Sequence, residues 1–153
     1  MPGWRLGYAI ASPDKTSAIR KVHDFLTVGA PAPLQQAAAI GYAFDDAYYQ
    51  TLSANYLARR EFLAGPLRDA GFQFAEPEGA YYFFADFSAL SRDDDVTFAK
   101  WMTREIGVAT VPGSSFYRPN AAEGKRYVRF AFGKKQSTLE QAVGRLGKLR
   151  AAG

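Results

Sequence analysis

Two arginines stand where an arginine is costly. Arg129 lies in the middle of RYVRFAF (126–132), whose alternation puts Val128, Phe130 and Phe132 on one face of a strand and Tyr127, Arg129 and Ala131 on the other. A guanidinium cannot neutralise itself, so in a desolvated place it must find an anion. Three arrangements would satisfy it: a forked grip on a ligand carboxylate, a salt bridge within the chain, or a side chain reaching water from an edge strand. Arg5 raises the same question inside the apolar run WRLGYAIA (4–11), where an anion site and an internal salt bridge both answer it.

His23 has no serine or carboxylate pattern suggestive of a triad and reads as an ordinary helix residue. The loop Pro112-Gly113-Ser114-Ser115 could turn backbone amides towards an anion, although a proline-glycine pair is also simply a turn. Tyr81 and Tyr82 read as core. With no cysteine and a single histidine, disulfides and thiolate metal sites are excluded, and a nitrogen-ligated centre has almost no ligands to draw on. No metal is expected, and no catalytic residue is identified in the chain.

The 153 residues are 48% hydrophobic and 15% aromatic, enough to bury one proper core or two small ones. A net charge of +4 invites a nucleic-acid reading, but the 19 basic residues are scattered among 15 acidic ones. Only Lys134, Lys135, Lys148 and Arg150 thicken the balance near the end, and no aromatic-basic stacking platform accompanies them, so no nucleic-acid partner is expected. No run approaches the roughly 20 apolar residues of a membrane span, and the amino end has no basic segment leading into an apolar one. The expectation is a cytoplasmic protein without a membrane partner.

The elements that would position these residues follow from periodicity. Residues 4–11 predict a strand buried on both faces. After a turn at Ser12, Pro13 and Asp14, a helix is expected over 15–26 from Ile19, Val22 and Leu26. VGAPAPL (28–34) reads as a shaped loop, because two prolines and a glycine oppose a helix interior, and alanine-rich 35–44 as a helix. Residues 45–70 carry Tyr49, Leu52, Tyr56, Leu63, Leu67 and Ala70 at amphipathic spacing, with Pro66 expected to kink the helix and Gly71 to end it.

Beyond Gly71 the pattern shortens. Residues 72–74 and 80–87 predict a hairpin around Glu76-Pro77-Glu78-Gly79. Asp94 or Asp95 caps a helix with Phe98, Met102 and Ile106 on one face, ending at Gly107, and 108–111 reads as a short strand. After the strand at 126–132, Ser137-Thr138-Leu139-Glu140 reads as a capping box for a helix with the stripe Leu139, Ala142, Val143, Leu146 and Leu149. Residues 71–153 are therefore expected to form an α+β unit, a small sheet covered by helices on one side.

Taken in order, GWRLGY (3–8), APAPLQQA (30–37), GAYY (79–82), VPGSSF (111–116) and YVRF (127–130) resemble the class I/II, fold type I, pyridoxal-phosphate-dependent aminotransferases. Phe116-Tyr117 and Trp101-Met102 are similar to the kynurenine, glutamine and methionine aminotransferase branch. The resemblance implies a division into 1–44, a strand and helices of the large α/β cofactor domain, 45–70, the interdomain helix, and 71–153, the small C-terminal domain. It implies that Arg5 binds the cofactor phosphate and Arg129 the substrate α-carboxylate, in an enzyme moving an amino group between an amino acid and a 2-oxo acid. The loop around Gly29 and Ala30 would border the site of a neighbouring subunit in a homodimer. A lyase or decarboxylase of the same fold would share both arginines.

One departure from the family governs the expectation for the chain itself. The family's Schiff-base lysine precedes the GWR motif by a few residues, and Met1-Pro2 leaves nothing to align with it. The family's ring-pairing aspartate, stacking aromatic and glycine-containing phosphate loop also lie upstream of that motif. The chain is therefore expected to be a C-terminal portion that holds no cofactor covalently and is inactive alone. The rival from another class is a non-catalytic binding or assembly module from a truncated gene, pairing through a formerly interior surface. Self-association through 4–11 and 35–44 is expected.

Overall fold

Leu63 and Ala64, with Leu67 one turn further on, are buried along the second half of a long helix, and the core begins with them. The computed structural model describes residues 2–119 and 121–150, without the side chains of Pro2 and Arg150. It divides the chain into a unit up to Gln50 and a unit from Thr51 onward. The helices of the first unit are α1 (Pro13–Thr27) and α2 (Ala32–Gly41), and the border falls inside α3 (Asp46–Asp69).

The second unit is an α+β arrangement. Helix α3 runs through Pro66, whose missing N–H leaves one position of the helical ladder unmade. It ends at Gly71, where φ is +99°, a backbone conformation that favours glycine; an added Cβ would also push aside the Leu90 side chain, whose Cδ2 would lie 2.7 Å away. Strands β1 (Tyr82–Asp86), β2 (Val111–Pro112) and β3 (Tyr127–Ala131) form an antiparallel sheet in the order β1-β3-β2. The register sets Arg129 opposite Phe84 on one side and Val111 on the other, on the central strand.

Alternation then separates two faces, as read from the sequence. Phe83, Ala85, Phe87, Val128, Phe130 and Phe132 are buried beneath helices α4 (Asp95–Trp101) and α5 (Gln136–Arg150) and the end of α3, together with Phe72, Phe98, Met102, Leu139 and Leu146. Phe87 stacks on Phe98 with ring centroids 4.1 Å apart. Asp94 caps α4 by accepting the Thr97 N–H at 2.8 Å. The helix widens into a π turn over Met102–Ile106 before Gly107 ends it at φ +79°.

Several local expectations are corrected. The hairpin expected from 72–74 and 80–87 is reduced to one bridge, Gln73 to Asp86, on the edge of β1 opposite β3, and the full-length partner of β1 is β3, far away in sequence. The strand expected over 108–111 shrinks to Val111–Pro112, where the proline lacks the N–H to extend a ladder. Helix α5 starts at Gln136, so Ser137 lies inside the first turn and does not cap it; the Lys135 carbonyl takes the N–H groups of Thr138 and Leu139. Helix α2 begins at Ala32, ahead of the expected residue 35, since Pro33 fits a first turn whose N–H groups have no helical acceptor.

The largest correction lies in the first unit. Residues 4–11 form no strand: a single 3-10 turn at Pro2–Trp4 leads into irregular chain, with Tyr8 73% and Ile10 89% exposed. A strand buried on both faces needs neighbouring strands for its N–H and C=O groups and layers for its side chains, and the first unit offers no strand among the described residues. No helix among the described residues is long and apolar enough to cross a membrane.

Candidate functional site

The face of the sheet turned away from the core carries Tyr82, Phe84 and Asp86 from β1 and Tyr127, Arg129 and Ala131 from β3, all half-buried. The guanidinium carbon of Arg129 lies 5.1 Å from the centroid of the Tyr82 ring and 4.8 Å from that of Phe116. Its Nε is buried and has no hydrogen-bond partner. The ion pairs among the described residues join Arg60 to Glu61 and Glu76, Arg68 to Glu76, and Arg126 to Asp86, and none involves Arg129. Of the three arrangements open to this arginine, the internal salt bridge is not found. The edge-strand route to water is not found either, because β3 is central.

Phe116 reaches this place from the 3-10 turn Gly113–Phe116, directly after β2. The turn is held from below by Asp95, only 2% exposed, whose Oδ2 accepts the Ser114 N–H at 2.7 Å. It is also pressed against the segment before β3: a Cβ on Gly113 would stand 2.3 Å from the Gly124 carbonyl oxygen. One amide of the Pro112-Gly113-Ser114-Ser115 loop is thus already committed to an internal carboxylate.

Along β1 runs an open cleft of about 670 Å³, lined by Tyr82, Phe84 and Asp86 together with Phe74, Tyr117 and Tyr127. Phe84 stacks on Tyr127 at 4.9 Å and meets Phe116 edge-on at 5.9 Å, so the aromatic surface is continuous from the cleft to the side of Arg129. Arg126 also lines the cleft. It donates to the Tyr127 hydroxyl at 2.7 Å and pairs with Asp86 at 3.3 Å, contacts that hold its guanidinium protonated even more firmly than usual, the Tyr127 hydroxyl most of all.

The remaining candidates separate. Arg5 belongs to the first unit, is exposed, and has a left-handed backbone with φ +57°. It is not a buried strand residue, so the desolvation argument made for it from the sequence does not apply. His23 is exposed, with the Thr27 hydroxyl 3.0 Å from its Nδ1, a contact within one helical turn. Tyr81 and Tyr82 are not core: Tyr81 is exposed and Tyr82 flanks Arg129. The lysines, Lys134, Lys135 and Lys148 of the basic end among them, are all exposed; the Arg150 side chain and Met1 lie outside the description. An amine recruited for covalent chemistry needs an enclosed site that orients it towards its partner, and exposed lysines do not have one. The described residues thus offer a half-buried guanidinium at Arg129 and no enclosed amine.

Sequence reasoning missed Tyr82, Phe116 and Asp95 as neighbours of this site. The signal for Tyr82 was its parity with Phe84 on a strand; for Asp95, next to a capping aspartate, nothing local distinguishes it.

Residues 1–146 match the family model described as aminotransferase class I and II. Methionine aminotransferase of Escherichia coli (strain K12) is 36% identical over 97% of this chain and 38% of that protein. Probable N-succinyldiaminopimelate aminotransferase of Mycobacterium tuberculosis is 32% identical over 96% of this chain and 39% of that protein. Kynurenine–oxoglutarate transaminase of Dictyostelium discoideum is 29% identical over 97% of this chain and 38% of its own length. Solved structures agree: the Escherichia coli protein gives a TM-score of 0.81 and the Mycobacterium tuberculosis N-succinyldiaminopimelate aminotransferase 0.84, each over 97% of this chain and 38% of theirs. The chain thus spans 38% or 39% of the length of these curated relatives.

Proposed function

The chain belongs to the class I and II aminotransferase family, and we propose that in the whole protein it supplies the part of the site that grips the α-carboxylate of an amino acid or 2-oxo acid during amino transfer. In this reading Arg129 takes the carboxylate and Arg5 the phosphate of pyridoxal phosphate, within a cytoplasmic homo-oligomer. The observation that carries it is the state of Arg129. A charged side chain on the central strand has its Nε buried without an acceptor, and no carboxylate among the described residues pairs with it. Leaving such a donor unsatisfied costs about 1–3 kcal/mol, and an incoming carboxylate would remove that cost.

The chemistry agrees with the donor. Guanidinium presents its N–H groups in a rigid fork that a carboxylate matches with two parallel hydrogen bonds, which fixes the substrate's orientation as well as its position. The Tyr82 and Phe116 rings beside it exclude part of the water that would screen the pair. Pyridoxal phosphate, when bound, supplies the electron sink for the transfer. The chain's lysines are all exposed, so by itself the chain is expected not to transfer amino groups. Both arginines would serve a lyase or decarboxylase of the fold equally well; the aminotransferase names of the relatives favour amino transfer.

The test uses the chain with pyruvate as a monocarboxylate 2-oxo acid. Pyruvate should shift the Arg129 Nε–H resonance, and Arg129→Lys should weaken binding about 10- to 100-fold, the value of a charge-assisted hydrogen-bond pair. Equal affinity in Arg129→Lys would sink the assignment. Added pyridoxal phosphate should give no stoichiometric absorbance band of a lysine-bound cofactor, and a band traced to one lysine would refute the reading of the exposed amines.

A further inference from the structure

We propose that Tyr82, Phe116 and Asp95 are positioning residues for Arg129, the two rings by flanking the guanidinium and Asp95 by fixing the turn that carries Phe116. The inference rests on Arg129 being a carboxylate grip and says how that grip is held ready. A long arginine side chain is conformationally free unless something orients it. The usual orienting partner, a carboxylate of the same chain, would compete with the substrate's carboxylate for the same donors. Aromatic rings attract the cation through their faces and leave its in-plane N–H groups available. Arg129 has that arrangement: two rings within 5.1 Å of its guanidinium carbon and no acidic partner among the described residues.

The two rings are secured differently. Tyr82 belongs to β1, and sheet register holds it, paired with Ala131 two residues beyond Arg129. Phe116 lies outside the strands, and its place depends on the turn beneath it. The buried Asp95 carboxylate receives the Ser114 N–H from that turn, and close packing of Gly113 against Gly124 leaves the backbone little room to shift. Asp95 therefore acts on Arg129 through Ser114 and Phe116 without touching it.

Two measurements on the full chain test this: solvent exchange of the Arg129 Nε–H without ligand, and pyruvate affinity. Phe116→Leu and Tyr82→Leu should each speed exchange, and weaken pyruvate binding, by about tenfold, the value of one cation–π contact. Asp95→Ala should behave like Phe116→Leu, and combining the two should add nothing further, because both act through one ring. Asp95→Asn, which keeps an oxygen for the Ser114 N–H, should restore slow exchange. If Asp95→Ala does not fold, the two ring variants and Asp95→Asn still decide. Parent-like exchange in both ring variants overturns the positioning role even where pyruvate binding still depends on Arg129. Additive loss in the Asp95→Ala/Phe116→Leu double variant overturns the route through the loop. Unchanged pyruvate affinity in Arg129→Lys instead removes the grip on which the inference rests.

Discussion

Arg5 and Arg129 pose one puzzle in the sequence and receive different answers in space. Both sit among apolar neighbours along the chain, yet only Arg129 is drawn into a sheet, where its neighbours become partners across strands. Other single residues act through backbone geometry. Gly71 adopts φ +99° against Leu90, so Gly71→Ala is expected to destabilise the second unit by more than about 1 kcal/mol, read from denaturant unfolding. Asp94 accepts hydrogen bonds from the Thr97 backbone N–H and then its hydroxyl, which, with help from Lys125 and Lys100, hold its carboxyl below the ordinary value of 3.8. A lowered folded-state value means the ionised cap stabilises the fold above pH 3.8, and that contribution fades as pH falls through the lower folded value. The Tm difference between the parent and Asp94→Ala should accordingly be largest near neutrality and shrink on acidification. A constant difference from pH 7 to pH 2 would contradict the cap's role.

At the scale of elements, the second unit is built by aromatic side chains placed at helical and strand spacing on one core. Phe98 is the hinge of this packing, stacking on Phe87 and meeting Phe72 and Trp101. Phe98→Ala is expected to cost about 3–5 kcal/mol, the range for emptying a buried aromatic site, with a matching fall in the urea midpoint. A loss under 1 kcal/mol would show that the core collapses around the gap. The sheet depends on β3, which pairs with both other strands, so one strand carries Arg129 and sets its register against Phe84 and Val111. A site on the central strand is held on both sides, as a carboxylate fork must be to keep a fixed direction.

For the whole molecule, the first unit presents Tyr8, Ile10, Phe25, Leu26, Val28 and Ile40 to solvent. Isolated exposed apolar side chains are normal, but this many in one small unit offer apolar area that association would bury, and self-association is expected. Sedimentation velocity should show association that grows with concentration, reduced by Ile10→Ser combined with Phe25→Ser. A clean monomer at high concentration would refute the prediction. The same exposed surface suits an assembly module, so the pyruvate titration at Arg129 is the measurement that separates a piece of an enzyme site from a purely associating chain.

What could be read from the residues alone was whatever depends on near neighbours. Period 3.6 located α1, α3 and α5 within a few residues, and period 2 sorted Val128, Phe130 and Phe132 from Tyr127, Arg129 and Ala131. The order of five short motifs pointed to the family. Strand partners, by contrast, were decided in three dimensions, because hydrogen-bonding edges join segments without regard to their separation in sequence. That is why β3 paired with β1 across a long stretch of chain, and why the apolar run at 4–11, with no strand beside it, stayed irregular and exposed. The setting of Arg129 belongs to the same class: its aromatic neighbours and its missing carboxylate arise from packing between distant segments, and local periodicity carries no record of them.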